Sequence, residues 1–202
     1  MAPTTADQSR PAYEQRAAAF DRFRPRGLAE RPYLDLVLGA CDASPGRLLD
    51  LGCGAGEPIA AYFIDQGWQV TGVDFAAPMI EICKERFPDH DWRLDDMRGL
   101  DLGRTFNGII AWDSFFHLGR DEQRAMFPVF ASHLEPDGVV VFSSGDKDGD
   151  NVVGAIMDIP VYHASLDSSE YAAQLSKAGF DVIRQVIEEP STGRTVWAAR
   201  RL

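Results

Sequence analysis

Hydrophobic positions along the 202-residue chain first follow a helical spacing and then an alternating one. Residues 1–10 are small and polar and are expected to form a disordered tail. Residues 11–24 place Tyr13, Ala17 and Phe20 on one side, and residues 28–40 do the same with Leu28, Tyr33, Leu34, Val37 and Leu38. Apolar residues three and four apart share one face of a helix. Beyond residue 45, strand-like runs (RLLDL, QVTGVD, DWRL, FNGIIAW, GVVVFSS) are separated by helical stretches such as PIAAYFIDQG, PMIEICKERF and DEQRAMFPVFASHL. Strands that alternate with helices point to an open α/β sheet.

Local breakers refine this outline. Pro128 removes the backbone bond to the Arg124 carbonyl and predicts a kink within one helix. In DSSE, Asp167 caps a helix and Glu170 completes a capping box; that helix should end near Lys177, with Gly179 as a left-handed terminator. Two more strands, FDVIRQVIE and RTVWAAR, follow with the turn-like EPSTG between them. Residues 144–166 read as an irregular loop. Its DKDGDN places Asp146, Asp148 and Asp150 in alternation, as in a calcium loop. Asn151 and Met157 then stand where glycine and a bidentate glutamate are needed. A solvated acidic loop without metal is the expectation.

The segment LLDLGCGAGEP carries the chemistry. A hydrophobic strand runs into Gly52, Gly54 and Gly56, and a helix follows. Glycines there permit a tight turn and direct contact between ligand and backbone, and the helix N-terminus favours an anionic group. Asp74 ends the next strand, where a carboxylate can grip a ribose diol. The dinucleotide fingerprint wants a third glycine where Glu57 stands, and that carboxylate would repel a pyrophosphate. Asp50, Glu57, Asp74, Asp95 and Asp96 all fall near the strand ends. A site ringed by carboxylates favours a cationic ligand such as S-adenosylmethionine over NAD.

Composition narrows the partners. With 20 Lys and Arg against 31 Asp and Glu, the formal charge is −11, and no basic cluster offers itself to nucleic acid phosphates. Cys41, Cys53 and Cys83 form no zinc-like spacing, and so sparse a set suits a reducing cytoplasm. The N-terminus lacks the apolar core of a signal peptide. No run reaches the roughly 18 apolar residues of a membrane span. A cytoplasmic protein is expected, without membrane or nucleic-acid partners, as a monomer or homodimer.

LLDLGCGAGEPIA, VTGVDFAAPMIEICKERFP, LDDMRGL and HLEPDGVVVFSSG, taken in order, resemble the motifs of the class I S-adenosylmethionine-dependent methyltransferases over roughly residues 45–200. The resemblance implies a Rossmann-like, mostly parallel seven-stranded sheet with an antiparallel last strand and helices on both faces. It also implies two N-terminal helices over the cofactor, so that 11–42 form a helical cap and 45–202 the core of one domain. It places Gly52, Gly54 and Gly56 along the methionine portion of the cofactor, Asp50 near its amino group and Asp74 on the ribose. Asp96, rather than Asp95, would contact adenine, with Met97 against the ring. Trp112 and Asp113 would meet the methionine end and the acceptor. One departure is Asp137, which replaces a glycine in LEPDG.

Base methyltransferases acting on exocyclic amines carry an Asx-Pro-Pro-aromatic motif after the fourth strand. AWDSFF has no proline there, which leaves a small-molecule acceptor and in-line methyl transfer helped by positioning and desolvation. His117, at the carboxyl edge of the sheet, is either a general base or a packed histidine bracing the strand-end loop. His163 and Tyr162, in PVYHASL, are the other catalytic candidates, on a loop able to close over the pocket. Phe115, Phe116 and Tyr162 would supply apolar walls; equally, the two adjacent phenylalanines are core residues with at most one reaching the substrate. His90 and His133 read as structural or exposed, His133 as a cation suited to a helix C-terminus. Cys53 reads as a small residue against the cofactor. Two alternatives remain: an NAD-dependent oxidoreductase, and a non-catalytic S-adenosylmethionine-binding protein.

Overall fold

The computed structural model describes residues 5–40, 45–145 and 148–202. Its strands are β1 (Arg47–Leu51), β2 (Gln69–Asp74), β3 (Asp91–Leu94), β4 (Phe106–Ala111), β5 (Leu134–Ser144), β6 (Gly149–Ile156), β7 (Ile159–Ser165), β8 (Phe180–Val186) and β9 (Thr195–Arg201). Seven of them form one sheet in the order β3-β2-β1-β4-β5-β9-β8. β9 is antiparallel to both β5 and β8, and the pairs from β3 through β5 are parallel. The Rossmann-like sheet implied by the sequence motifs is therefore present, with β9 as its antiparallel strand.

Two-residue periodicity explains how the sheet is buried. Leu48, Val70, Ile110, Val139 and Val141 point to one side, and Leu49, Leu51, Ile109, Val140 and Phe142 to the other. Both sides are apolar because helices cover both. On the first side pack α2 (Arg31–Gly39), α3 (Ile59–Asp65) and α4 (Ala77–Arg86), through residues such as Val37, Phe63 and Ile80. The second side receives α5 (Arg120–His133) and α6 (Ser168–Lys177), through Phe127, Phe130 and Tyr171. Phe142 and Trp197 stack there at an interplanar angle of 9°. Gly108 lets α2 approach β4 closely, since a Cβ there would overlap Val37. The chain leaves β1 toward β2 on one side, while β4 pairs on the other, and this reversal opens a crevice at the carboxyl ends of the strands.

Three expectations need correction. The disordered tail fails over residues 5–10, which belong to α1 (Thr5–Phe23). Ala6, Ser9 and Ala12 are buried, and the Tyr162 amide donates to Ser9 Oγ at 2.9 Å; tertiary contact orders a segment whose composition alone would not. The irregular loop over 144–166 contains instead the antiparallel hairpin β6–β7, with a register shift between Asp150 and Val152. Asp146 of the acidic motif lies outside the described residues, and Asp148 pairs with Arg120 at 2.6 Å. His133 is not a dipole-facing cation but a buried ring. The Leu102 amide donates to its Nε2 at 3.0 Å, which leaves Nδ1–H to donate to the Val129 carbonyl at 2.8 Å.

Other local signals hold. Asp167 accepts the Ser169 amide at the start of α6, and Gly179 has φ 83 just after its end. The capping box expected at Glu170 is replaced: its carboxylate pairs with Arg124 at 2.6 Å and joins α6 to α5. Asp137 takes φ 64, the left-handed conformation that a glycine usually supplies. Pro128 lies inside a single helix, α5. Among the described residues, no helix is long and apolar enough to cross a membrane.

Candidate active site

A cleft of about 400 Å³ opens at the carboxyl ends of β1, β2 and β4 and is roofed by α1 and the β6–β7 hairpin. Its floor is the glycine turn after β1, where Gly52, Gly54 and Gly56 all have positive φ, 75°, 52° and 81°. A Cβ built on Gly54 would meet no atom within 4 Å, so that backbone is open to the cleft. Asp74 ties the turn to β2: Oδ2 accepts the Gly54 amide and Oδ1 the Ala76 amide, each at 2.9 Å. Burial pushes the Asp74 carboxyl up to about 6 despite those amides. Burial likewise pushes Asp50 up to about 7, with Arg24 opposing the rise. A buried carboxylate without a close cation favours its protonated form, and a cationic ligand would reverse that preference.

The expected ring of five carboxylates is smaller in space than in sequence. Glu57 is paired with Arg26 at 3.0 Å and Arg86 at 3.4 Å. Asp96 holds Arg98 at 2.6 Å, and Arg98 also reaches Glu122 and Asp7. Asp95 accepts the Asp96 amide and lies outside the cleft lining, whereas Asp96 and Met97 are within it. Among the described residues, Asp50 and Asp74 are the cleft carboxylates with no arginine ion pair. Trp112 is buried against Tyr33, 5.9 Å between rings. Asp113 pairs with Arg194 at 2.8 Å.

The other half of the cleft is organised around His117, in the single helical turn Phe115–His117 after β4. The Tyr162 carbonyl can only accept, so His117 Nδ1–H donates to it at 2.9 Å. Nε2 then accepts the Tyr13 hydroxyl at 2.6 Å. Burial pulls the imidazole down to about 4, with the Tyr162 bond opposing. Burial also raises the Tyr13 phenol, helped by Asp113 and Asp74. The pair is therefore neutral at physiological pH. His117 thus braces the strand-end loop through Nδ1, and its Nε2 is engaged by the Tyr13 hydroxyl at the cleft wall.

β7 alternates its side chains, so Val161 and His163 enter the cleft while the Tyr162 side chain is absent from the lining. Tyr162 contributes its main-chain carbonyl. Phe116 is a wall residue, with its ring 4.4 Å from His163. Phe115 is not: it lies in the aromatic core, 4.9 Å from Phe142. Sequence reasoning missed Tyr13, Arg24 and Arg194. Tyr13 was read only as part of a helix's apolar face, and its hydroxyl was the available clue. Arg194 was read only as the first residue of a strand.

A methyltransferase-domain family model matches residues 20–185. A dTDP-3-amino-3,6-dideoxy-alpha-D-glucopyranose N,N-dimethyltransferase from Streptomyces fradiae is 38% identical over 96 residues, which are 46% of this chain and 37% of that protein. A dTDP-3-amino-3,4,6-trideoxy-alpha-D-glucopyranose N,N-dimethyltransferase from Streptomyces venezuelae is 34% identical over 96 residues, 46% of this chain and 40% of that protein. The matched stretches thus span well under half of these relatives. The structure of an amino pentose methyltransferase from Micromonospora echinaspora, CalS10, solved with S-adenosylmethionine bound, superposes with a TM-score of 0.72 at 23% identity. That match covers 93% of this chain and 96% of that one, and it shows a shared fold. With the family match spanning most of its length and the glycine turn, Asp74 and sheet order in place, the chain belongs to the class I S-adenosylmethionine-dependent methyltransferases.

Proposed function

We propose that the protein transfers a methyl group from S-adenosylmethionine to an amine nitrogen of a small molecule. The observation that carries this reading is the hydrogen-bonded chain from Tyr13 through His117 to the Tyr162 carbonyl, set in the cleft wall opposite the glycine turn. Family membership sets aside the oxidoreductase alternative.

The residues present fit the cofactor. The open backbone at Gly54 offers a cradle that a side chain would fill. Asp50 would take the ammonium of the methionine portion and Asp74 the ribose hydroxyls. Arg24, also in the lining, would face the carboxylate. Asp96 and Met97 would border the adenine, and Trp112 the methionine end. When bound, the cofactor supplies an electrophilic methyl group on a sulfonium, so the protein's task is positioning and desolvation.

Tyr13 commits its proton to His117 and is left with oxygen lone pairs that can accept an N–H of the acceptor. A histidine held near 4 is too weak a base to strip a hydroxyl. An amine needs no such base, because its neutral form already carries the attacking lone pair, and burial in a desolvated cleft favours that neutral form. The two amino-sugar dimethyltransferases named above carry an amine acceptor in their names, which supports the same class. Free Cys53 and Cys83 and the strongly acidic composition support a cytoplasmic setting without nucleic acid.

The test is incubation with S-adenosylmethionine and a panel of small amines and matched alcohols, measuring S-adenosylhomocysteine formed. Turnover confined to amines is expected. Turnover of alcohols alone would overturn the amine assignment. Cofactor binding without turnover on any acceptor would identify a sensor instead.

A further inference from the structure

Arg194 stands at the entrance to β9 and reaches into the acceptor half of the cleft. Its Nε donates to Asp113 Oδ1 at 2.8 Å. Asp113 is itself held in place: its φ is 50°, and its amide donates to Ser143 Oγ at 2.8 Å. A left-handed aspartate is uncommon and persists only where its surroundings over-determine it. The guanidinium also lies over Phe116, 5.4 Å from the ring centroid, a cation–π contact that limits its rotation.

These contacts occupy one edge of a planar, five-donor fork. Among the described residues, the two Nη groups of Arg194 make no hydrogen bond. Arg24, the other arginine of the cleft lining, is assigned above to the cofactor carboxylate, and Arg26, Arg86 and Arg98, outside the lining, each hold a carboxylate through an Nη nitrogen. Arg194 is different because its partner engages Nε and leaves both Nη ends open. Such a fork matches the paired oxygens of a carboxylate or phosphate. His163 flanks the same position, its ring 4.4 Å from the same Phe116 ring at an interplanar angle of 54°.

We propose that Arg194 is a specificity-determining residue that binds a carboxylate or phosphate group carried by the methyl acceptor, with Asp113 and Phe116 holding its fork in register. The acceptor is then a small amine that also bears an anionic group, with its nitrogen at Tyr13 and its anion at Arg194. The identity of the amine end rests on the function proposed above; the anion site does not.

The experiment is calorimetric titration of the full chain with benzoate, phenyl phosphate and neutral benzyl alcohol, with and without saturating S-adenosylhomocysteine. At least one anion should bind about tenfold more tightly than benzyl alcohol, and the better of the two identifies the group. Arg194→Gln should erase that preference while melting temperature and S-adenosylhomocysteine affinity report an intact fold. Where Arg194→Gln does not fold, Arg194→Lys serves, and loss of most of the preference is expected because a lysine lacks the fork. Benzyl alcohol binding as tightly as both anions, absence of anion binding up to the solubility limit, or a preference surviving in the glutamine variant would overturn the proposal. Failure of S-adenosylhomocysteine to bind would instead count against the cofactor reading, since the titrations without it read the anion site directly.

Discussion

The centre of the proposed cofactor half comes from one continuous segment and the strand beside it, Asp50 to Gly56 and Asp74, with Arg24, Asp96, Met97 and Trp112 at its border. The acceptor half joins Tyr13, His117, His163 and Arg194 from four distant segments. The difference is also energetic. In the first half, Asp50 and Asp74 are buried with raised proton affinities, so binding energy is needed to ionise them fully. In the second, the polar groups are already paired: Tyr13 with His117, His117 with Tyr162, and Arg194 with Asp113. One half is completed by its ligand, and the other is organised before the ligand arrives.

The largest expected effect lies in the first half. Asp74→Ala would remove the proposed ribose contact and also release the Gly54 and Ala76 amides, so calorimetry should show cofactor affinity lowered by about a hundredfold. An unchanged constant would break the assignment of Asp74. Next comes the pH dependence of Asp50. An ammonium ligand requires the ionised carboxylate, so affinity should fall by up to about tenfold per unit as pH drops below about 7. Asp50→Asn should bind weakly but with a flatter profile. The same variant tests stability. A carboxyl raised from its ordinary value to about 7 in the fold binds a proton more tightly when folded than when unfolded. Its contribution to stability is then present below the ordinary carboxylate pKa and is lost as pH rises toward 7. Asp50→Asn should therefore raise the melting temperature of the ligand-free protein at about pH 8, by a stabilisation on the order of a few kcal/mol.

Effects in the second half should be smaller and kinetic. Tyr13→Phe removes the hydroxyl proposed to orient the acceptor, so kcat should fall about tenfold or more while S-adenosylhomocysteine affinity stays within about twofold. A matching loss of cofactor affinity would mean that α1 chiefly closes over the cofactor. Tyr162→Phe should have the smallest effect, under about twofold on turnover, because His117 uses the main-chain carbonyl. A large loss would return Tyr162 to the catalytic set.

Much of the cofactor half was legible because its signals are local. Glycines with positive φ, a strand ending in Asp74 and the helix after the turn lie within one supersecondary unit. The β6–β7 hairpin was not legible. Gly149, Gly154 and Pro160 interrupt its apolar residues, and its register shifts at Asp150, so neither period stands out. Charge was misread for a related reason. Glu57 counts as one more carboxylate in the sequence, but α1's following loop brings Arg26 to it and α4 brings Arg86.

The sequence by itself determined the alternation of strands and helices, the glycine turn and its acid, and the resemblance that named the cofactor. Backbone conformation and burial period depend on near neighbours, so they can be read along the chain. Only the tertiary structure decided that Tyr13 meets His117 across 104 positions, that Tyr162 serves through its carbonyl, and that Arg194 keeps an open fork in the cleft. Those outcomes depend on how α1, β7 and β9 pack over the sheet end, and no local pattern encodes the distances between them.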